Sequence, residues 1–228
     1  MFIVLEGLDG AGKSTQAALL QEYLTTQNIG TKFLHFPRFD APVFGELIAK
    51  FLRGDFGDIS TVDPYLVGLL YAGDRADASA TIRSWIADGY CVLLDRYVYS
   101  NVAYQCAKLY DSEKRQVLRE WILDMEYNYF GISKPDLTLF FDVPLAHVEK
   151  KLSETRSGDD RAYLQGKKDI HEVSMDLQYN VRKIYLEQAN LDTAFKIVNC
   201  SDGDNMLSPQ AIFENLKQLF TAFFAEKK

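Results

Sequence analysis

Close to the start of the chain, Gly7-Leu8-Asp9-Gly10-Ala11-Gly12-Lys13-Ser14 fits G-x-x-x-x-G-K-[ST] without a gap, and Thr15 follows. Glycines let successive backbone N–H groups turn inward toward phosphate oxygens, while the helix behind them presents its positive end. In such a loop Lys13 reaches the β- and γ-phosphates and the Ser14 hydroxyl ligates Mg²⁺. The motif needs a strand before it and a helix after it. Phe2 to Leu5 is apolar, and Gln16 to Thr26 carries apolar residues at helical spacing. Gly7, Asp9, Gly10, Ala11, Gly12, Lys13, Ser14 and Thr15 are therefore expected to cradle the phosphates of ATP with Mg²⁺, with Lys13 an exposed loop cation. Asp9 sets a separate problem, because a carboxylate there would repel a triphosphate. It either forms the turn or points away, toward a sugar hydroxyl, an arginine or the magnesium shell.

The loop does not choose between a GTPase, an ATPase and a kinase. A GTPase needs a base-reading N-K-x-D segment, and the sequence has none. A kinase needs a second pocket, and three further stretches have the chemistry for one. Phe36, Pro37 and Arg38 follow the second apolar run, where open α/β sheets place ligands; they offer flat apolar surface and a phosphate-capable fork. Tyr71 and Arg75 are four residues apart on one helix face, a ring for stacking and a guanidinium for a carbonyl oxygen. After the third apolar run, Asp95 can hold the magnesium water shell and Arg96 can bind phosphate. Asn101, Tyr104 and Gln105 project from the next helix.

Taken in order, "EGLDGAGKST", "FPR", "YAGDR" and "DRYVYSNVAYQ" resemble the thymidylate kinase family, and the resemblance runs from end to end. It implies ATP-dependent, Mg²⁺-dependent conversion of dTMP to dTDP. Under it Tyr71 stacks on thymine, Arg75 contacts the base carbonyl, and Asn101 reads the base edge. Arg96 binds the acceptor phosphate, Tyr104 lies against the deoxyribose, and Asp9 helps hold sugar and phosphate. Lys13, Arg96 and Asp9 would be catalytic, with Ser14 and Asp95 toward the metal. The resemblance also implies a homodimer, with helices near Pro64 to Ala87 and Asn101 to Leu109 as candidate faces. The rivals are a kinase for another pyrimidine nucleotide or a deoxynucleoside, and a nucleotide-binding regulatory protein that transfers nothing. Joint retention of Lys13, Asp95 and Arg96 argues against the second.

A polar, charge-dense stretch, Glu154 to Asp169, lies between two helical patterns, too polar for core. Read alone it is a solvated loop; under the resemblance it is a lid over about 154–172. There Asp169, His171 and Glu172 face the acceptor or metal, with a surface helix position the alternative for His171. Some thymidylate kinases carry an arginine in the phosphate loop, where this chain has Gly10. The resemblance then assigns the missing positive charge to the lid, and Arg156, at its start near the preceding helix, is favoured over Arg161, which has Asp159 and Asp160 beside it to pair with.

Five short apolar runs, Phe2–Leu5, Lys32–Phe36, Cys91–Leu94, Leu137–Val143 and Phe195–Val198, must position these residues. Between them lie helical patterns at Pro64–Ala87, Lys114–Phe130, Met175–Ala189 and Pro209–Phe224. Alternating apolar runs and helices predict a parallel sheet covered on both faces. The expectation is one three-layer α/β domain over 1–228, of the P-loop nucleoside triphosphatase type, with a five-stranded parallel sheet and a lid. A net charge of -7 argues against a broad nucleic-acid or anionic-membrane surface. No run reaches the roughly 18 apolar residues of a membrane span, and no signal peptide is read, so a cytoplasmic enzyme is expected. Cys91, Cys106 and Cys200 are odd in number and widely spaced, which suits core filling in a reducing compartment.

Overall fold

The computed structural model describes residues 1–154, 159–167, 169–172 and 174–225. Strands β1 (Phe2–Gly7), β2 (Thr31–His35), β3 (Cys91–Asp95), β4 (Leu137–Asp142) and β5 (Phe195–Asn199) form one parallel sheet in the order β2-β3-β1-β4-β5. Every residue of β1 and β3 is buried, as a strand covered on both faces requires, whereas the edge strand β2 is half open. The helices are α1 (Lys13–Thr26), α2 (Phe44–Leu52), α3 (Pro64–Ala87), α4 (Val98–Cys106), α5 (Ser112–Asp124), α6 (Leu145–Ser153), α7 (Met175–Ala189) and α8 (Pro209–Ala225). α1 and α8 pack together over one face; α4 packs between α3 and α7 over the other. A small hairpin, β6 (Ser201–Asp202) and β7 (Asn205–Met206), stands apart from the sheet.

β1 lies between β3 and β4, so the chain leaves it at the point where the strand order reverses. Crevices at the C-terminal ends of strands around such a point take ligands in open α/β sheets. β1, β2 and β3 all end there. Those strand ends and the segments after them carry the glycine loop, Phe36 to Arg38, and Asp95 with Arg96.

The sequence boundaries hold to within a few residues, with three corrections. α1 begins at Lys13 rather than Gln16. β2 stops at His35, one residue before Phe36. The pattern expected as one helix to Phe130 is α-helical only to Asp124, then widens into a π-helical turn, Met125–Tyr129. α2 and the β6/β7 hairpin have no counterpart in the sequence reading. All three cysteines are free and buried. The proposed outer face on Asn101 to Leu109 is also corrected. α4 is buried at every residue because α3, α5 and α7 surround it, while Leu66 and Leu69 of α3 are exposed. Among the described residues no helix is long and apolar enough to cross a membrane.

One carboxylate ties these layers together at the ligand edge. Glu6, at the end of β1, is fully buried. Its Oε1 accepts from the backbone N–H groups of Tyr97 (2.9 Å) and Ser100 (3.1 Å), at the start of α4. Its Oε2 accepts from the Ser100 hydroxyl (2.5 Å) and the Tyr185 hydroxyl of α7 (2.8 Å). An acceptor-only group at a helix N-terminus satisfies donors the helix cannot satisfy itself and sits favourably in its dipole. Removing it strands buried donors, which is costlier than the net worth of the bonds. Glu6→Ala is expected to lower unfolding free energy by about 3 kcal/mol, and Glu6→Gln by less. Chemical denaturation measures both; an unchanged midpoint for Glu6→Ala would contradict this role.

Candidate active site

The glycine loop runs from buried β1 into α1 through Gly10 and Gly12, both at φ 79°, a left-handed conformation that favours glycine. Gly12 is the N-cap of α1 and offers no side-chain cap. The Gln16 N–H bonds to the Gly12 carbonyl, leaving the N–H groups ahead of it in α1 without intrahelical acceptors. That is an anion site at the positive end of a 14-residue helix. Ala11 is buried, and Ser14 and Thr15 are exposed on the first turn.

Lys13 departs from the expectation of an exposed cation: it is buried. Its Nζ donates to the carbonyls of Gly7 (3.3 Å) and Leu8 (3.1 Å) and lies 3.9 Å from Asp95 Oδ1. The loop folds its own ammonium into its concave side. Burial and the nearby Arg96 guanidinium hold Lys13 below its ordinary pKa, against the pull of Asp95 and Asp9.

Asp95, at the end of β3, is buried too. Burial pushes its carboxyl up, but Lys13 and the His35 imidazole, 3.4 Å away, bring it below the ordinary range. Its Oδ1 is buried without a hydrogen-bond partner. This orphaned oxygen and the Ser14 hydroxyl are hard donors of the kind Mg²⁺ takes, usually with waters and phosphate completing the shell. The residues present therefore fit a magnesium ion carried with a triphosphate. Among the described residues no cluster of three or more His, Cys, Asp or Glu forms a self-sufficient metal site.

Asp9 resolves toward an arginine. Its Oδ1 accepts from Arg96 Nη2 (2.8 Å) and its Oδ2 from the Tyr104 hydroxyl (3.1 Å). Burial opposes the charge on Asp9, but Arg96 and Lys13 outweigh it and hold the carboxyl well below the usual range. Arg96 adopts φ 68°, uncommon for a residue with a side chain, and its Nη1 donates to Ser100 Oγ (3.1 Å). The left-handed backbone turns Arg96 out of the strand direction and over the loop, where it meets Asp9.

A cavity of about 1110 Å³ extends without interruption from this loop to the second set of residues, more room than one drug-sized ligand requires. Phe36, Pro37, Tyr71, Arg75, Asn101 and Gln105 line its far part, with Arg96 and Tyr104 between. Phe36 is buried against Tyr97, and Tyr71 is half-buried. Arg38 lines the wall, but its fork is largely committed elsewhere. Nε donates to Asp74 Oδ1 (2.8 Å) and Nη2 to the Asp74 carbonyl and Asp77 Oδ2, both on α3. Asp74 is buried within α3, so the helix carries its own partner for this arginine. That pairing weakens the reading of Arg38 as a phosphate ligand.

Asn101 Oδ1 and Gln105 Nε2 are buried without partners, one turn apart on α4. Both residues line the cavity, so these two atoms are open to a ligand or to water. The buried Glu126 of the π-helical turn is a site residue the sequence reading missed: it forms a two-point pair with Arg75. A glutamate in a mixed helical pattern carries no sign of facing inward, and nothing local announces a π turn.

The described residues 159–167 and 169–172 supply Ala162, Tyr163, Asp169, His171 and Glu172 to one side of the cavity. Asp159–Leu164 forms a 3₁₀ turn, Tyr163 stacks on Phe39 (3.7 Å between ring centroids), and the Ile170 N–H donates to the Leu52 carbonyl. Leu164 and Asp169 are buried although the stretch from Glu154 to Asp169 is too polar to predict core, and His171 is buried between Phe51 of α2 and Tyr104 of α4. His171 is thereby not a surface helix residue: its ring lies 4.8 Å from that of Tyr104, with Nε2 unpartnered. Arg156, and the side chain of Arg161, lie outside the described residues. Asp169 accepts from the Tyr163 hydroxyl (2.9 Å) and the His171 N–H (2.8 Å). Burial, and then the charge of Asp9, push its carboxyl up to about 7. A raised carboxyl favours folding below its unfolded value, and that contribution is lost as pH climbs through the folded value. Wild type is therefore expected to lose stability relative to Asp169→Asn between about pH 4 and 7. Melting curves across that window test it; parallel curves would contradict it.

The profile of the thymidylate kinase family matches residues 5–208. The chain is 34% identical to a probable thymidylate kinase of Thermococcus kodakarensis, over 93% of this chain and 95% of that protein. It is likewise 34% identical to a thymidylate kinase of Mycobacterium tuberculosis, over 83% and 86%. A solved thymidylate kinase from Candida albicans superposes with a TM-score of 0.71 at 28% identity, covering 97% of this chain and 91% of that one. With the glycine loop in place and the family profile matched over most of its length, the chain belongs to the thymidylate kinase family, nucleoside monophosphate kinases that phosphorylate dTMP.

Proposed function

We propose that this chain transfers the γ-phosphoryl group of ATP, bound with Mg²⁺, to dTMP, giving dTDP. The observation that carries the reading is the continuous cavity, which joins a phosphate-binding helix start to a pocket ending in unpaired base-sized polar groups. Thymine stacks on Tyr71 against Phe36 and Pro37. Arg75 donates to a base carbonyl, and Asn101 and Gln105 meet the rest of its polar edge. Tyr104, fixed by Asp9, takes the deoxyribose, with Asp169 and His171 behind it. Arg96 binds the acceptor phosphate, held by Asp9 at an angle its unusual backbone sets. At the other end, the N–H groups from Gly10 to Thr15 and the Lys13 ammonium hold the donor phosphates, Lys13 exchanging its carbonyl partners for phosphate oxygens. Ser14 and Asp95 would hold the magnesium ion, which would supply charge neutralisation to the donor phosphates.

The acceptor oxygen is already anionic, so no general base is needed. Catalysis reduces to alignment and charge stabilisation. With Gly10 in the loop, Lys13 is its one cation, and we assign further positive charge on the transferring group to Arg156. A homodimer, seated on the exposed Leu66 and Leu69 side of α3, completes the proposal.

A coupled assay of ATP consumption with each nucleoside monophosphate in turn tests the reading. Turnover is expected to be highest with dTMP, lower with dUMP by the roughly 10–200-fold that one methyl is worth, and lower again with dCMP. Equal kcat/KM for dCMP and dTMP would overturn the base assignment. Lys13→Met, which keeps the buried volume, is expected to lower kcat by about 10²–10³ with the fold intact by circular dichroism. Arg156→Ala is expected to lower kcat strongly while dTMP affinity by calorimetry stays unchanged; full kcat would remove Arg156 from the chemistry.

A further inference from the structure

We propose that Glu126, which does not line the cavity, sets the hydrogen-bonding polarity of the base pocket and thereby its choice of pyrimidine. This rests on reading the cavity as the dTMP site. Glu126 is fully buried on the π-helical turn, and π turns recur at functional sites. Its Oε2 accepts from Arg75 Nε (2.5 Å), and its Oε1 from both Arg75 Nη2 (2.7 Å) and Asn101 Nδ2 (2.9 Å). Asn101 Nδ2 also donates to the Gly68 carbonyl of α3 (2.9 Å).

Donor and acceptor counts then fix what remains. A carboxylate and a carbonyl only accept, so the Asn101 amide must turn its nitrogen toward them, and both its N–H groups are used. Asn101 has no donor left; its one remaining group is Oδ1, buried and unpartnered. Arg75 commits Nε and Nη2 to the carboxylate, while Nη1 has no hydrogen bond among the described residues. Arg75 therefore offers a donor and Asn101 an acceptor. Thymine and uracil carry a carbonyl acceptor beside a ring N–H donor, the matching pair. Cytosine carries an amino donor beside a bare ring nitrogen, so both contacts oppose. Glu126 is a positioning residue: it sets the polarity through its neighbours and touches no ligand.

The test is the ratio of kcat/KM for dTMP over dCMP in wild type and Glu126→Gln. A glutamine has one acceptor oxygen: placed toward Arg75 Nη2 and Asn101 it sets its amide nitrogen against the Arg75 Nε–H, and turned the other way it opposes both Nη2 and Asn101, so the hold on Arg75 is weakened in either orientation. The ratio is expected to shrink by about tenfold or more, through a raised KM for dTMP with kcat within about threefold. If activity on both acceptors falls together and the ratio holds, Glu126 is only a structural support and the inference is overturned. Should Glu126→Gln fail to fold, Asn101→Ala leaves the Arg75–Glu126 pair in place and should narrow the same ratio; an unchanged ratio there also overturns it. Wild type that uses dTMP with either unchanged ratio sinks this inference alone. Wild type that does not use dTMP sinks the functional reading with it.

Discussion

The site depends on where one buried carboxylate is placed. Glu6 is the penultimate residue of the central strand, and its two oxygens collect the N-terminus of α4 and the hydroxyl of Tyr185 from α7. α4 carries Asn101, Tyr104 and Gln105, and its first turn follows Arg96 directly. A shift of that helix by one ångström would move the base-reading, sugar-facing and phosphate-binding side chains together. Because Glu6 lies next to Gly7, the same strand end that launches the donor loop also anchors the acceptor helix. Donor and acceptor are thus referenced to one backbone position, which is what in-line transfer between two bound nucleotides demands.

Two further carboxylates repeat the device nearer the ligands. Asp9 holds Arg96 and Tyr104, and Glu126 holds Arg75 and Asn101. In each case an acid that only accepts fixes a side chain that must donate or present an oxygen. A free arginine would lose side-chain entropy on binding, whereas one already paired has lost it on folding. The net charge of -7 is compatible with binding anions for this reason: the cations are concentrated and oriented locally.

The donor half was legible because its residues are contiguous: a strand, three glycines, Lys13 and Ser14 are one local pattern. The acceptor half was partly legible, since Tyr71 and Arg75, or Asn101 and Gln105, share helix faces through four-residue spacing. What the sequence hid was long-range pairing of like-looking polar residues. Glu126 reads as a solvated helix position, and only the π turn brings it 51 residues back to Arg75. Asp74 also looks like an exposed helix residue, yet it is buried and occupies Arg38. Lys13 was misjudged because a loop lysine is usually solvated, and here the loop's own carbonyls take it in.

The central claim is that the acceptor pocket is built before its ligand arrives. A crystal structure with dTMP measures this directly. A thymine oxygen is expected about 3 Å from Arg75 Nη1, with the Arg75–Glu126 and Asp9–Arg96 pairs intact and α4 in place. A base bound elsewhere in the cavity, or an Arg75 that has left Glu126 to reach it, would contradict a preformed pocket.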